Sequence, residues 1–309
     1  MFWYLNWIFY CLSFERYQIL TAGLNCWSIN KVMDFEKFKL NGKTALVTGS
    51  AGLLGIEHTA ALLQSGAQVV MTDINKAGLI SAQKYLSQTF DESKIFTRVM
   101  DVSKAKNVAG VAEQLLTQGL CIDILINNAA IDPKVQGEKI LSEISRFENF
   151  SLDQWNLEVS VGLTGAFICS QAFGCNMAKS EKGGVILNIA SDLSVISPDQ
   201  RLYSKDGVAD DMQPVKPVTY SVIKAGLIGL TRYLSTYWAD KNIRCNALSP
   251  GGVSNEQGEE FVKNISSLIP LGRMASKDEY RSAIQFLCSD ASSYMNGQNI
   301  VIDGGRSVW

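Results

Sequence analysis

The chain carries one histidine, His58, in 309 residues. Metal centres and Ser-His-Asp triads draw on histidine for ligation or proton transfer. A lone imidazole just after a glycine-rich turn argues against both, and His58 is read as structural with no metal expected. No Cys-x-x-Cys pair occurs among the seven cysteines, several of which stand inside apolar runs such as AFICSQ and IRCNAL. That pattern points to buried free thiols in a reducing, cytoplasmic setting. Neither sign of charge is in excess: 28 basic and 30 acidic side chains leave a formal net charge of −2. Binding to nucleic acid or an anionic membrane surface has no electrostatic basis in that balance.

Apolar runs of membrane-spanning length are also missing. The opening MFWYLNWIFYCLSF is aromatic and apolar but shorter than the roughly 20 residues a span needs. It lacks the basic segment and small-residue cleavage site of a signal peptide. Residues 1–32 are therefore expected to lie outside the folded unit, which runs over 33–309. A peripheral membrane anchor is the other reading of that extension.

What the chain does have is 47% hydrophobic and 19% charged residues, enough for a sizeable α/β core. From Lys43 onward, TALVTG, AQVVMTD, KIFTRVMD, IDILINNAA, GVILNIAS, IRCNALSP and QNIVIDGG read as strands, separated by segments of helical period. Short β-branched runs buried on both faces, with helices between them, predict a single Rossmann-type doubly wound α/β domain. Its central parallel sheet should have about seven strands. The stretch from Ser197 to Pro217 is polar, proline-punctuated and long for a loop, as substrate lids and flexible insertions are.

TALVTGSAGLLG puts Gly49, Gly52 and Gly55 directly after the first strand and at the start of a helix. Glycines there allow a tight turn and close backbone approach to a pyrophosphate, whose charge the helix N-terminus stabilises. The second strand ends at Asp73, 18 residues beyond Gly55, where a ribose-binding acid is expected. A carboxylate there favours NAD over NADP by repelling a 2′-phosphate, a preference that Lys76 nearby softens.

Tyr220 and Lys224 stand four residues apart in TYSVIKAGLIGLTRYL, so a helix projects both from one face. An ammonium beside a phenol favours the phenolate and brings its pKa toward the working range of an acid/base. Tyr237 and Lys241 repeat the spacing further along; residue spacing alone does not choose between the two pairs.

In order along the chain stand TGSAGLLG, Asp73, Asp101–Val102, NNAA (Asn127–Ala130), NIAS ending at Ser191, YSVIK, NALSPGGV and GQNIVIDGG. Over about Phe35–Trp309 the sequence resembles the short-chain dehydrogenase/reductase family. The resemblance implies that Tyr220 is the general acid/base, that Lys224 lowers its pKa and holds the nicotinamide ribose, and that Ser191 orients the substrate oxygen. It further implies that Gly49, Gly52, Leu53, Leu54 and Gly55 cradle the cofactor, with Asp101 and Val102 beside the adenine. Asn128 and Ala129, after Asn127, would line the cofactor cleft, and Pro250, Gly251 and Val253 would lie by the nicotinamide.

Three departures from the family pattern stand out. The glycine spacing G-x-x-G-x-x-G is typical of the family's extended branch, whereas the C-terminal third is similar to the classical branch. Gly162 occupies the place of an asparagine that serves a proton relay. Ser191 and Tyr220 are 29 residues apart, about twice the family's usual spacing, and the Ser197–Pro217 stretch accounts for the excess.

The expected activity is an NAD-dependent interconversion of a secondary alcohol and a ketone on a small molecule, such as a sugar derivative. The alternatives are a sugar-nucleotide epimerase or dehydratase with a transient keto intermediate, and a catalytically quiet NAD-binding regulatory protein. The apolar and small residues of 167–172 and 227–234 point to a homodimer or homotetramer, as such helices pair between subunits in related enzymes.

Overall fold

Seven β-branched runs become seven strands in the computed structural model, which describes residues 35–131 and 145–309. The extension 1–32 lies outside the described residues. The strands are β1 (Thr44–Thr48), β2 (Gln68–Asp73), β3 (Ile95–Val99), β4 (Ile124–Asn127), β5 (Gly184–Ile189), β6 (Ile243–Pro250) and β7 (Asn299–Ile302). They form one sheet in the order β3-β2-β1-β4-β5-β6-β7, and every pairing is parallel. The direction of strand order reverses between β1 and β4. That switch point opens a crevice at the carboxyl ends of the strands, where α/β sheets bind ligands.

The described residues form seven helices: α1 (Leu53–Gln64), α2 (Lys76–Leu86), α3 (Ala105–Thr117), α4 (Leu152–Lys179), α5 (Val218–Tyr237) and α7 (Arg281–Cys288), which cover the sheet, and α6 (Glu259–Ser267), which packs in a smaller cluster of its own. On one face Val47, Met71 and Ile126 pack with Leu62 of α1, Leu79 of α2 and Ile284 of α7. On the other, Leu46, Leu125 and Ile186 pack with Val111 of α3, Phe173 of α4 and Leu234 of α5. Each fully buried aliphatic side chain contributes about 1.5–3 kcal/mol, which is why a two-faced sheet needs no alternating polar pattern. Among the described residues α4 alone is long and apolar enough to cross a membrane; its Cys169, Phe173 and Met177 are spent on this core.

Helix α4 is not a plain α-helix. Two π-helical turns interrupt it, Ser160–Thr164 and Ser170–Gly174. The first contains Gly162. A Cβ there would sit 2.7 Å from Ile223 Cγ2 on α5, so the missing side chain lets the two helices close on each other beside Lys224. One turn earlier the buried carboxylate of Glu158 accepts hydrogen bonds from the Thr219 hydroxyl and, at 2.6 Å, from Gln154 Nε2. It places negative charge near the N-terminus of α5, whose Pro217 cap offers no side-chain acceptor, a favourable position for an anion.

The Ser197–Pro217 stretch has structure of its own, with short 3-10 turns at Gln200–Tyr203 and Asp210–Met212. Leu202 is buried against Ile265, Ile269 and Met274, and the Tyr203 ring meets Phe261 at 5.8 Å. Gln213 stitches the loop to itself: its Oε1 accepts from Lys205 N, and its Nε2 donates to the Lys205 and Val208 carbonyls.

Candidate active site

The crevice is a cleft of about 530 Å³ whose two ends are built differently. At the β1 end the chain leaves Thr48 through Gly49, whose φ is +62°. A Cβ at Gly49 would lie 2.8 Å from Ala129 Cα, and one at Gly55 would lie 2.3 Å from the Gly49 carbonyl oxygen. Only glycine permits this turn. Helix α1 starts at Leu53 with Gly52 as its cap and no side chain accepting from its first turn. Its N-terminal N–H groups and dipole are therefore suited to an anionic phosphate. The Thr48 hydroxyl accepts from the backbone N–H groups of Asn128 and Ala129, and Asn128 Nδ2 donates to the carbonyls of Thr48 and Gly49. These bonds fix the end of β4 to the glycine turn. At the end of β2, Asp73 accepts from Ala51 N at 3.1 Å and Asn75 N at 2.9 Å.

At the β5 end, α5 presents Tyr220 and Lys224 to the same cleft. Lys224 is buried, donates to the Ile189 carbonyl at 2.8 Å, and lies 5.6 Å from the Tyr220 ring centre. A second ammonium, that of Lys216, lies 3.9 Å from the same centre. Ser191 follows β5. Its hydroxyl donates to Asp192 Oδ1 at 2.8 Å, and its oxygen accepts from Leu193 N at 3.2 Å. Asp192 is buried and accepts from Arg306 Nη1 through Oδ2 at 2.8 Å. Arg306 also lines the cleft.

Most residues expected in the site meet at this one cleft: Gly49, Gly52, Leu53, Leu54, Gly55, Asp73, Asn128, Ser191, Tyr220, Lys224, Pro250, Gly251 and Val253. Asp101, Val102 and Ala129 are placed otherwise. Asp101 holds the turn after β3 by accepting from Ser103 N and Oγ, and Val102 is 6% exposed in the core beside Gly165. Ala129 packs behind Gly49, while its neighbour Ala130 reaches the cleft wall. Asn127 is buried beneath, donating to Ser170 Oγ and Asn188 Oδ1. The second tyrosine–lysine pair is elsewhere. Helix α5 ends at Tyr237, which is 58% exposed and stacks on Tyr233, and Lys241 belongs to a separate 3-10 turn.

His58 is fully buried on α1 and neither ring nitrogen has a hydrogen-bond partner. Burial, with the Lys224 ammonium as a lesser cause, holds its pKa down at about 3. It is a neutral core residue at physiological pH. The described cysteines are free, and burial pushes the thiols of Cys169, Cys245 and Cys288 up to about 12. Asp192 and Arg306 were missed in the sequence, although each directly follows a recognisable motif, NIAS and IDGG.

A family model described as enoyl-(acyl carrier protein) reductase matches residues 50–307. A D-threitol dehydrogenase of Mycolicibacterium smegmatis is 31% identical over 89% of this chain and 96% of its own length. An NAD-dependent glycerol dehydrogenase of Listeria innocua is 29% identical over 89% and 98%. A crystal structure of a gluconate 5-dehydrogenase from Burkholderia cenocepacia, in complex with NADP and tartrate, superposes with a TM-score of 0.75 at 27% identity, covering 88% of this chain and 98% of that one. The chain belongs to the short-chain dehydrogenase/reductase family. Its activity is that of an oxidoreductase on alcohol groups, and the glycine turn and uncapped helix fit the nicotinamide cofactor that the family uses.

Proposed function

We propose that the protein is an NAD-dependent dehydrogenase of polyols or sugar derivatives, interconverting a secondary alcohol and a ketone. The observation that carries this reading is the convergence of Ser191, Tyr220 and Lys224 on a cleft whose other end is the glycine turn. The cofactor, when bound, gives or takes the hydride. Tyr220 takes the hydroxyl proton during oxidation and returns it during reduction. Lys224, held by the Ile189 carbonyl, favours the phenolate. In the observed rotamer the Ser191 proton is directed at Asp192, leaving an oxygen lone pair that suits a substrate hydroxyl. A ketone requires the serine O–H to turn away from Asp192 and donate.

The preference for NAD rests on Asp73, whose carboxylate at the end of β2 opposes a 2′-phosphate. The polyol or sugar assignment rests on the names of the relatives and on the polar insertion whose Tyr203 and Lys216 line the cleft. A cytoplasmic homodimer or homotetramer belongs to the same reading. It is supported by free cysteines and by the exposed Leu157, Phe167, Val222 and Tyr233 on α4 and α5. Residues 1–32 are assigned no part in the activity.

The test is a screen of linear polyols, aldonates and their keto forms with NAD and with NADP, followed by nicotinamide absorbance. Net reduction of added NAD by one of these alcohols is the expected result. Isomerisation without net change in the cofactor would move the assignment to an epimerase. Cofactor binding without any turnover would move it to a regulatory protein.

A further inference from the structure

The Tyr-x-x-x-Lys arrangement accounts for one ammonium near the acid/base, but the described residues place a second there, and Lys216 is the nearer to the ring. Its Nζ is 3.9 Å from the Tyr220 ring centre, against 5.6 Å for Lys224. Lys216 stands four residues before the tyrosine, near the end of the insertion and after its last 3-10 turn, and the chain holds it there from both sides. Its backbone N–H donates to Gln200 Oε1 at 2.8 Å, and that of Val215 donates to Ser145 Oγ at 3.2 Å. Beyond it Pro217 begins α5, with its carbonyl accepting from Tyr220 N at 3.2 Å. The ammonium is therefore carried by a segment whose backbone is fixed relative to the ring.

A tyrosine hydroxyl lies about 2.8 Å from its ring centre, so this ammonium is within about 7 Å of the phenol oxygen whatever its direction, inside the range of an effective Coulomb interaction in a partly dehydrated cleft. A cation over the ring is attracted to the neutral tyrosine. It is attracted more strongly to the phenolate, whose charge spreads into that ring. Among the described residues, the other titratable or charged side chains lining this cleft are Lys224, Tyr203, the Asp192–Arg306 pair and, at the end of β2, Asp73; Glu158 on α4 bonds Thr219, the residue before Tyr220, and neutral His58 on α1 lies within the influence of Lys224. The Asp192–Arg306 pair balances itself, and Glu158 is engaged by Thr219 and Gln154.

We propose that Lys216 is a second electrostatic support of the acid/base, acting through Tyr220 to stabilise its phenolate, and that the insertion serves to bring it there. The proposal rests on the assignment of Tyr220 as the acid/base, and it assigns Lys216 a positioning role without requiring contact with the substrate.

The test needs no substrate. The tyrosinate absorbance of the apoprotein is titrated against pH, and the titration of the Tyr220→Phe variant is subtracted to isolate Tyr220. Lys216→Met should raise the Tyr220 midpoint by about half to one pH unit, whereas Lys216→Arg, which keeps the charge, should leave it near the wild-type value. With a turned-over alcohol, the rising limb of kcat/KM against pH should move up by the same amount in Lys216→Met. A midpoint that stays put in Lys216→Met overturns the proposal. So does a higher KM with an unmoved pH limb, which would make Lys216 a substrate contact only. If the screen finds no substrate, the apoprotein titration still decides the role of Lys216 independently.

Discussion

Asp192 and Arg306 lie 114 residues apart in the chain, yet Asp192 Oδ2 accepts from Arg306 Nη1 at 2.8 Å with both side chains buried. Because the other carboxylate oxygen holds the Ser191 hydroxyl, the C-terminal turn is tied through one residue to the serine proposed to orient the substrate. Arg306→Met leaves a buried carboxylate without its partner and should destabilise the fold by about 3–5 kcal/mol. Urea unfolding measures this. Adding Asp192→Asn should recover part of the loss, because the uncompensated charge is then gone.

Tyr220→Phe keeps the ring and deletes the proton. Turnover of any substrate found should be abolished, with NAD affinity retained in a direct titration. Tyr237→Phe, on the exposed end of α5, should leave kcat within about twofold, as surface changes away from a site do.

Cofactor choice is read from Asp73. Wild type should bind NAD at least tenfold more tightly than NADP, about 1.4 kcal/mol, by calorimetric titration. Asp73→Ala should narrow or reverse the ratio. Equal or tighter NADP binding by wild type would show that the carboxylate does not select.

His58 should make acid a destabilising agent. Its folded pKa of about 3 lies below the ordinary 6.5, so between those values the unfolded chain binds the extra proton and stability is lost as the pH is lowered. The loss from this group should reach about 2 kcal/mol by pH 5, at 1.36 kcal/mol per unit. Urea unfolding at pH 7 and pH 5 should show a smaller drop for His58→Leu than for wild type by that amount.

Gly162→Ala introduces a methyl 2.7 Å from Ile223 Cγ2 and should destabilise by about 1–3 kcal/mol through overpacking. Ile223→Ala opens the space the methyl needs. The double variant should be more stable than the sum of the single losses predicts, the sign of two residues sharing one volume.

The sheet was legible because its signals are local: each strand is a β-branched run, and Gly49 and Gly55 sit where a side chain would strike backbone. Tyr220 and Lys224 were legible through helical spacing. The contacts that were not legible join distant segments. Glu57 of α1 meets Arg281 of α7 across 224 residues, and no local pattern marks either as a partner. The Asp192–Arg306 pair is of the same kind. The spacing of Tyr237 and Lys241 carries no helical meaning: α5 stops at Tyr237, and the turn after it ends with Asn242 at φ 55°, so the four-residue interval runs past the end of the helix. The Ser197–Pro217 stretch reads as a polar lid or flexible insertion because its anchoring side chains, Leu202 and Tyr203, are diluted among charged neighbours.

That leucine links two parts of the molecule in time as well as in space. Leu202 shares a small cluster with Ile265 and Ile269 at α6 and with Met274, separate from both faces of the sheet. The insertion and the segment after β6 therefore cannot be displaced singly without wetting that cluster. Any opening of the cleft that moved either segment would have to wet this one hydrophobic latch, so its strength, set by a residue that touches no reacting atom, would enter the turnover rate wherever release is the slow step.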